Sequence, residues 1–122
     1  MYVNEAIEEL NRLKFENIIW GIFIFLSTLN IIGDINSEKF ILTKDKVYEK
    51  KSNYIFEFTL IITLFIYIYF FSRNFKAYQK ISDNKKHLYL IKVLGSSFLI
   101  VGIILLIYFQ TKQTNFLDSP AL

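Results

Sequence analysis

Three apolar runs, residues 18–33, 54–72 and 88–109, interrupt an otherwise charged chain, and each approaches the length needed to cross a lipid bilayer. They contain 16, 19 and 22 residues. A hydrocarbon core ~30 Å thick takes ~20 helical residues at ~1.5 Å of rise each. Lipid offers no partner for backbone N–H and C=O groups, so a spanning segment is helical or belongs to a closed barrel. Barrel strands alternate apolar and polar residues, and these runs do not. The sequence therefore predicts an all-α integral membrane protein with three transmembrane helices.

Local signals set the expected boundaries. Asn4 is suited to cap a helix, with Glu5 and Glu8 in its first turn. Ile7, Leu10, Leu13 and Ile18 then recur at helical spacing. This predicts a short N-terminal amphipathic helix over 4–16, lying in the headgroup plane or running into the first span. Span 1 is expected over 18–36, with Gly33-Asp34 breaking the helix and a connection leading to Thr43. Thr43 reads as the cap of a long helix over 44–81, because no Gly or Pro intervenes before Ser82; span 2 is its stretch 54–72. After the Ser82-Asp83-Asn84 break, a helix over 84–112 carries span 3 at 88–109. Residues 113–122, with Pro120, read as an irregular tail. The chain of 122 residues makes one membrane domain.

Composition excludes several classes. The apolar fraction is 53% against a usual 45–50% or so, and the excess sits in the three runs. A net charge of +3, with acids and bases mixed, does not suggest nucleic acid as a partner. It suits mild attraction to anionic lipid headgroups. With no Cys, there is no disulfide, thiolate nucleophile or Cys-based metal site. The single His87, beside Lys85 and Lys86, reads as solvated. The acidic first 17 residues do not resemble a secretory leader. No catalytic constellation, metal site or cofactor motif is present, so an enzyme is not expected.

Three crossings place the N-terminus and the 73–87 connection on one side. That side carries Arg12, Lys14, Arg73, Lys76, Lys80, Lys85 and Lys86; the other carries Lys39, Lys44, Lys46, Lys50, Lys51 and Lys112. The short, basic 73–87 connection favours a cytoplasmic N-terminus. Localisation is expected in a membrane, the Ile-, Lys- and Asn-rich usage suggesting a bacterial cytoplasmic one. Trp20, Tyr67, Tyr69, Phe70, Phe71 and Tyr89 are expected at one interface, and Tyr48, Tyr54, Tyr108 and Phe109 at the other.

Polar groups within the runs need an account. Asn30, Glu57 and Gln110 should share one depth and are read as a candidate intramembrane polar cluster. Glu16 and Lys92, near the opposite face, are read as a candidate interfacial ion pair; otherwise Lys92 reaches to headgroups. Gly21 and Thr28 on the first span, and Gly95, Ser96 and Gly102 on the third, are candidate packing positions, with the first span expected against the third. The functional expectation is a small accessory or self-assembling protein acting through helix contacts, its partners being lipid and further copies or a larger membrane complex. Two alternatives are an oligomeric pore, holin-like in size and span count, and a bacterial immunity or resistance protein.

Overall fold

The computed structural model describes residues 3–112. It is helical throughout: α1 runs Val3–Thr43, α2 Lys46–Lys80 and α3 Lys86–Lys112, with one 3-10 turn at Asp83–Lys85 ahead of α3. Each of the three helical regions is long and apolar enough to cross a membrane. The tail expected over 113–122 lies outside the described residues.

α1 corrects the expected organisation of the first third. Residues 4–16 run straight into the first span, one of the two arrangements expected, and the helix continues past Gly33-Asp34 to make one uninterrupted element of 41 residues. Gly33 does not break it. Glycine in a helix costs only ~1 kcal/mol against alanine, and here it lies beneath the ring of Phe56. In the first turns, Val3, Ile7, Leu10 and Leu13 face outward. The side of α1 turned inward there carries Arg12 and Glu16 instead.

The α1–α2 turn is correspondingly tight. Lys44 takes a left-handed conformation, φ 62°, and its N–H donates to the Phe40 carbonyl at 2.7 Å. That bond closes the helix as a C-terminal glycine usually does. Asp45, rather than Thr43, caps α2: its carboxylate accepts from the Val47 N–H at 3.0 Å. The Thr43 hydroxyl belongs to the end of α1, donating to the Lys39 carbonyl and accepting from the Asp45 N–H. At the second connection, the Ser82 hydroxyl donates to Asn84 Oδ1 at 2.6 Å.

A two-residue turn between helices this long fixes their register. Ser37 meets Ser52, Gly33 meets Phe56, Asn30 meets Thr59 and Glu16 meets Arg73. Steps of four, three and fourteen residues back along α1 match equal steps forward along α2. Those are heptad steps, the repeat of helices packed at a shallow angle. On α1 the inward positions are Arg12, Glu16, Ile19, Phe23, Leu26, Asn30, Gly33 and Ser37, each at least partly buried. Ile19, Leu26 and Ile66 form the apolar centre of this seam, with Phe23, Leu29, Ile62, Tyr69 and Phe70 packed on it. On α3, Val93, Ser96, Ile103 and Gln110 follow the same spacing and are buried.

α2 lies between its neighbours. Among the described residues α1 packs on α2 and α2 on α3, while the backbones of α1 and α3 nowhere come close. The expected packing of the first helix on the third is thus absent. The reason is steric order: the two-residue turn holds α1 along one side of α2, and α3 returns along the other. Large apolar side chains cover the outside, including Ile24, Phe65, Phe98 and Leu105.

Candidate functional site: a polar seam along the second helix

Hydrogen-bonding side chains sit in the two seams at intervals, facing each other rather than the exterior. Nearest the α1–α2 turn, the Ser37 hydroxyl donates to the Gly33 carbonyl at 3.2 Å and shares a 2.5 Å bond with Ser52, which is 0% exposed. Two turns further, the Thr59 hydroxyl lies 2.9 Å from Asn30 Oδ1 and 3.0 Å from the Phe56 carbonyl. On the α3 side, Gln110 Nε2 donates to Asn53 Oδ1 at 3.0 Å. Gln110 is 2% exposed, and its Oε1 has no donor among the described residues. Toward the other end, Asn74 Nδ2 donates to Ser96 Oγ at 2.5 Å, and the Ser96 hydroxyl donates to the Lys92 carbonyl at 3.0 Å.

Charges join the seam at the end where α1 begins and α2 finishes. Glu16 accepts from Arg12 Nη1 at 3.1 Å and pairs with Arg73. Arg12 Nη2 also reaches Glu9 at 2.6 Å. Arg73 donates to Asn74 Oδ1 at 3.3 Å and lies over the Phe70 ring, 5.1 Å from its centroid. Charged groups are tolerated in this partly buried position because each carboxylate bonds to a guanidinium whose fork has several donors. Glu9, nine residues ahead of the first apolar run, has its carboxyl held below the usual range by the Arg12 hydrogen bond, against a smaller opposing effect of burial. Trp20 packs against Phe23 and Phe70, and Tyr69 against Phe15 and Phe70. Several of the aromatic residues read as one interfacial level therefore touch.

The structure separates most of the residues singled out in the sequence. Asn30, Glu57 and Gln110 do not make one cluster: Asn30 serves the α1 side of α2, and Gln110 the α3 side. Glu57 is half-buried with no hydrogen bond or ion pair among the described residues. Glu16 pairs with Arg73 and Arg12, not with Lys92, which is exposed. The arginines win because the α1–α2 register puts residue 73 opposite residue 16. Of the small residues, Ser96 is buried in a seam. Gly21, Thr28 and Gly95 are exposed, and Gly102 is half-buried. A Cβ at Gly21, Gly95 or Gly102 would meet nothing within 4 Å.

Sequence reasoning missed Gly33 with Phe56, Ser37 with Ser52, Asn74 with Ser96, and Arg73. For the α1–α2 pairs the signal was present as polar and small residues mirrored about positions 44 and 45. Among the described residues no group of three His, Cys, Asp or Glu stands close enough to hold a metal ion. Scans against protein-family models, curated proteins and solved structures each returned no match for this chain.

Proposed function

We propose that the chain is a non-enzymatic, three-span membrane protein that works by helix contacts with further copies of itself. Glycine placement is the observation that carries this reading. Gly33 is explained by the Phe56 ring, but Gly21 and Gly95 are exposed, Gly102 is half-buried, and all three have open space where a Cβ would stand. Glycine within a helix costs ~0.5–1 kcal/mol relative to alanine, and nothing in the protomer offsets that cost at these three positions. Close approach of another helix does, since packing between spans depends on small residues rather than on a hydrophobic effect. Gly95 and Gly102, seven residues apart, share one side of α3. The outward Ile, Leu and Phe side chains suit hydrocarbon on the remaining surface. We place the N-terminus on the cytoplasmic side, with Arg73, Lys76, Lys80, Lys85 and Lys86 in the connection there supporting that orientation.

A pore draws less support. The Thr63 hydroxyl donates to the Thr59 carbonyl at 2.7 Å and that of Ser97 to the Leu94 carbonyl at 2.8 Å. The Thr63 and Ser97 protons are thus engaged within their own helices.

Cysteine scanning tests the proposal in a chain that has no native Cys. Gly95→Cys in proteoliposomes should give a covalent dimer on mild oxidation, while Ile104→Cys, on the other side of α3, should not. Adding Gly102→Leu should suppress the dimer. Equal cross-linking at positions 95 and 104, or none at either, removes the reading.

A further inference from the structure

Because α1 and α3 flank α2 without meeting, a cleft runs between them with α2 as its floor. At the end of the bundle that holds the start of α1, the cleft has two joined chambers. The outer one, about 280 Å³, is lined chiefly by Glu9, Arg12, Arg73, Tyr89 and Lys92. The inner one, about 390 Å³, is lined by Trp20, Phe23, Tyr67, Phe70 and Leu99, with Ser96 at its side. Arg73 and Asn74 belong to both walls, so the two chambers adjoin.

The chambers differ in chemistry in a fixed order. Outermost are three cations, Arg12, Arg73 and Lys92, against two carboxylates, Glu9 and Glu16. Both carboxylates bind arginine. The Lys92 ammonium has no carboxylate among the described residues and is exposed at the rim. One positive charge is therefore left over, beside the phenol of Tyr89. Below lies an aromatic and aliphatic slot. The boundary between chambers falls at Arg73, which directly follows the apolar run 54–72, and near Trp20 at the start of the run 18–33. On the proposed threading that is the level where a phospholipid changes from phosphate to acyl chain. A free anion would use only the outer chamber, and a neutral apolar molecule only the inner one. Basic pockets between spans on the cytoplasmic side are suited to anionic headgroups.

We infer that this cleft binds one anionic phospholipid, its phosphate held by Lys92 and Arg73 and one acyl chain lying along Trp20, Phe23 and Leu99. This rests on the membrane threading proposed above, though not on self-association. Glu9 is placed to accept from a headgroup hydroxyl, which favours a glycerol-type head over a choline one. Arg73 stays paired with Glu16 and offers its remaining donors, so Lys92 decides headgroup selectivity.

Trp20 is the sole tryptophan and lines the slot; it is also 55% exposed, so surrounding lipid quenches it too, and the difference between lipids, not quenching itself, reports the slot. The full chain is reconstituted in phosphatidylcholine vesicles. Acyl-brominated phosphatidylglycerol or acyl-brominated phosphatidylcholine is titrated in, and quenching of Trp20 gives a relative association constant. The expected preference for phosphatidylglycerol is about fivefold, the factor that one cation near an anionic headgroup confers. It falls to near unity in Lys92→Gln, survives in Lys92→Arg, and survives in Lys80→Gln, which removes the same charge at the same end but outside the cleft. Excess inorganic phosphate leaves the quenching unchanged. Equal quenching by the two lipids overturns the inference. So does an equal loss in Lys92→Gln and Lys80→Gln, which reports surface charge alone. Relief of quenching by inorganic phosphate also overturns it, since the occupant is then a free anion. A Trp20 emission spectrum typical of water, unquenched by either lipid, removes the membrane threading instead.

Discussion

Gly33→Ala puts the α1–α2 register to a numerical test. An added Cβ stands 2.5 Å from Phe56 Cε1, 2.8 Å from Cζ and 3.1 Å from Cδ1. Van der Waals contact between carbons lies at roughly 3.5–4.0 Å, so the ring must move by about an ångström. Phe56 is 0% exposed and has little room to yield. Alanine favours the helix by ~0.5–1 kcal/mol, and overpacking of this kind costs ~1–3 kcal/mol. The net expectation is destabilisation by ~1 kcal/mol. Gly95→Ala makes the same change of propensity with nothing nearby, and should stabilise the monomer in detergent by ~0.5–1 kcal/mol. Unfolding in mixed micelles with a rising fraction of sodium dodecyl sulfate, followed by Trp20 emission, measures both. Phe56→Leu removes the ring tip and should rescue Gly33→Ala, giving a coupling energy of about 1 kcal/mol in the double-mutant cycle. If Gly33→Ala stabilises as much as Gly95→Ala, or the coupling is under ~0.3 kcal/mol, residues 33 and 56 are not opposed and the register is wrong.

Other positions give further tests. Asn74→Ala should cost ~0.6–1.7 kcal/mol, the range for hydrogen bonds between spans, and Ser96→Ala in the same background should add little. Glu16→Gln leaves Arg12 and Arg73 facing each other with one carboxylate fewer; about 1–2 kcal/mol is expected, discounted because Arg12 is about a third exposed. Lys44→Gly relieves the left-handed backbone at φ 62° and should raise stability by ~0.5–1 kcal/mol in the same micelle assay. Glu9 should titrate below 4.5 by carbon NMR and return toward that value in Arg12→Gln. Because its folded-state value is depressed, the Glu9–Arg12 contribution is present above 4.5 and disappears as pH falls through the folded value.

Hydropathy made the three long apolar helices legible, since each run nears the bilayer length on its own. The long second helix was legible as well, from an unbroken stretch between Thr43 and Ser82; the helix found is Lys46–Lys80. The first helix misled because Gly33-Asp34 has the chemistry of a stop. The reason for glycine there is Phe56, 23 residues away, and no local rule contains that contact. Side-chain partners were the least legible layer. Asn30, Glu57 and Gln110 were grouped by depth alone, and depth does not say which side of α2 a residue addresses. Glu16 has cations within reach on two helices, and only the two-residue turn at Lys44-Asp45 decides for Arg73 over Lys92. Heptad steps of polar and small residues on both sides of that turn held the missing information. An antiparallel hairpin hypothesis was required before they could be read.

That turn has a consequence for how the protein is made. α1 and α2 are joined so closely that their complementary faces emerge from the ribosome one after the other, with Ser37 and Ser52 only fifteen residues apart. Pairing can begin at the turn and zip outward before α3 has left the ribosome. The third helix then arrives at a finished two-helix template that already displays Asn53 and Asn74, and adds itself by meeting them with Gln110 and Ser96. A chain truncated after residue 82 and reconstituted in lipid should accordingly hold a protease-resistant hairpin.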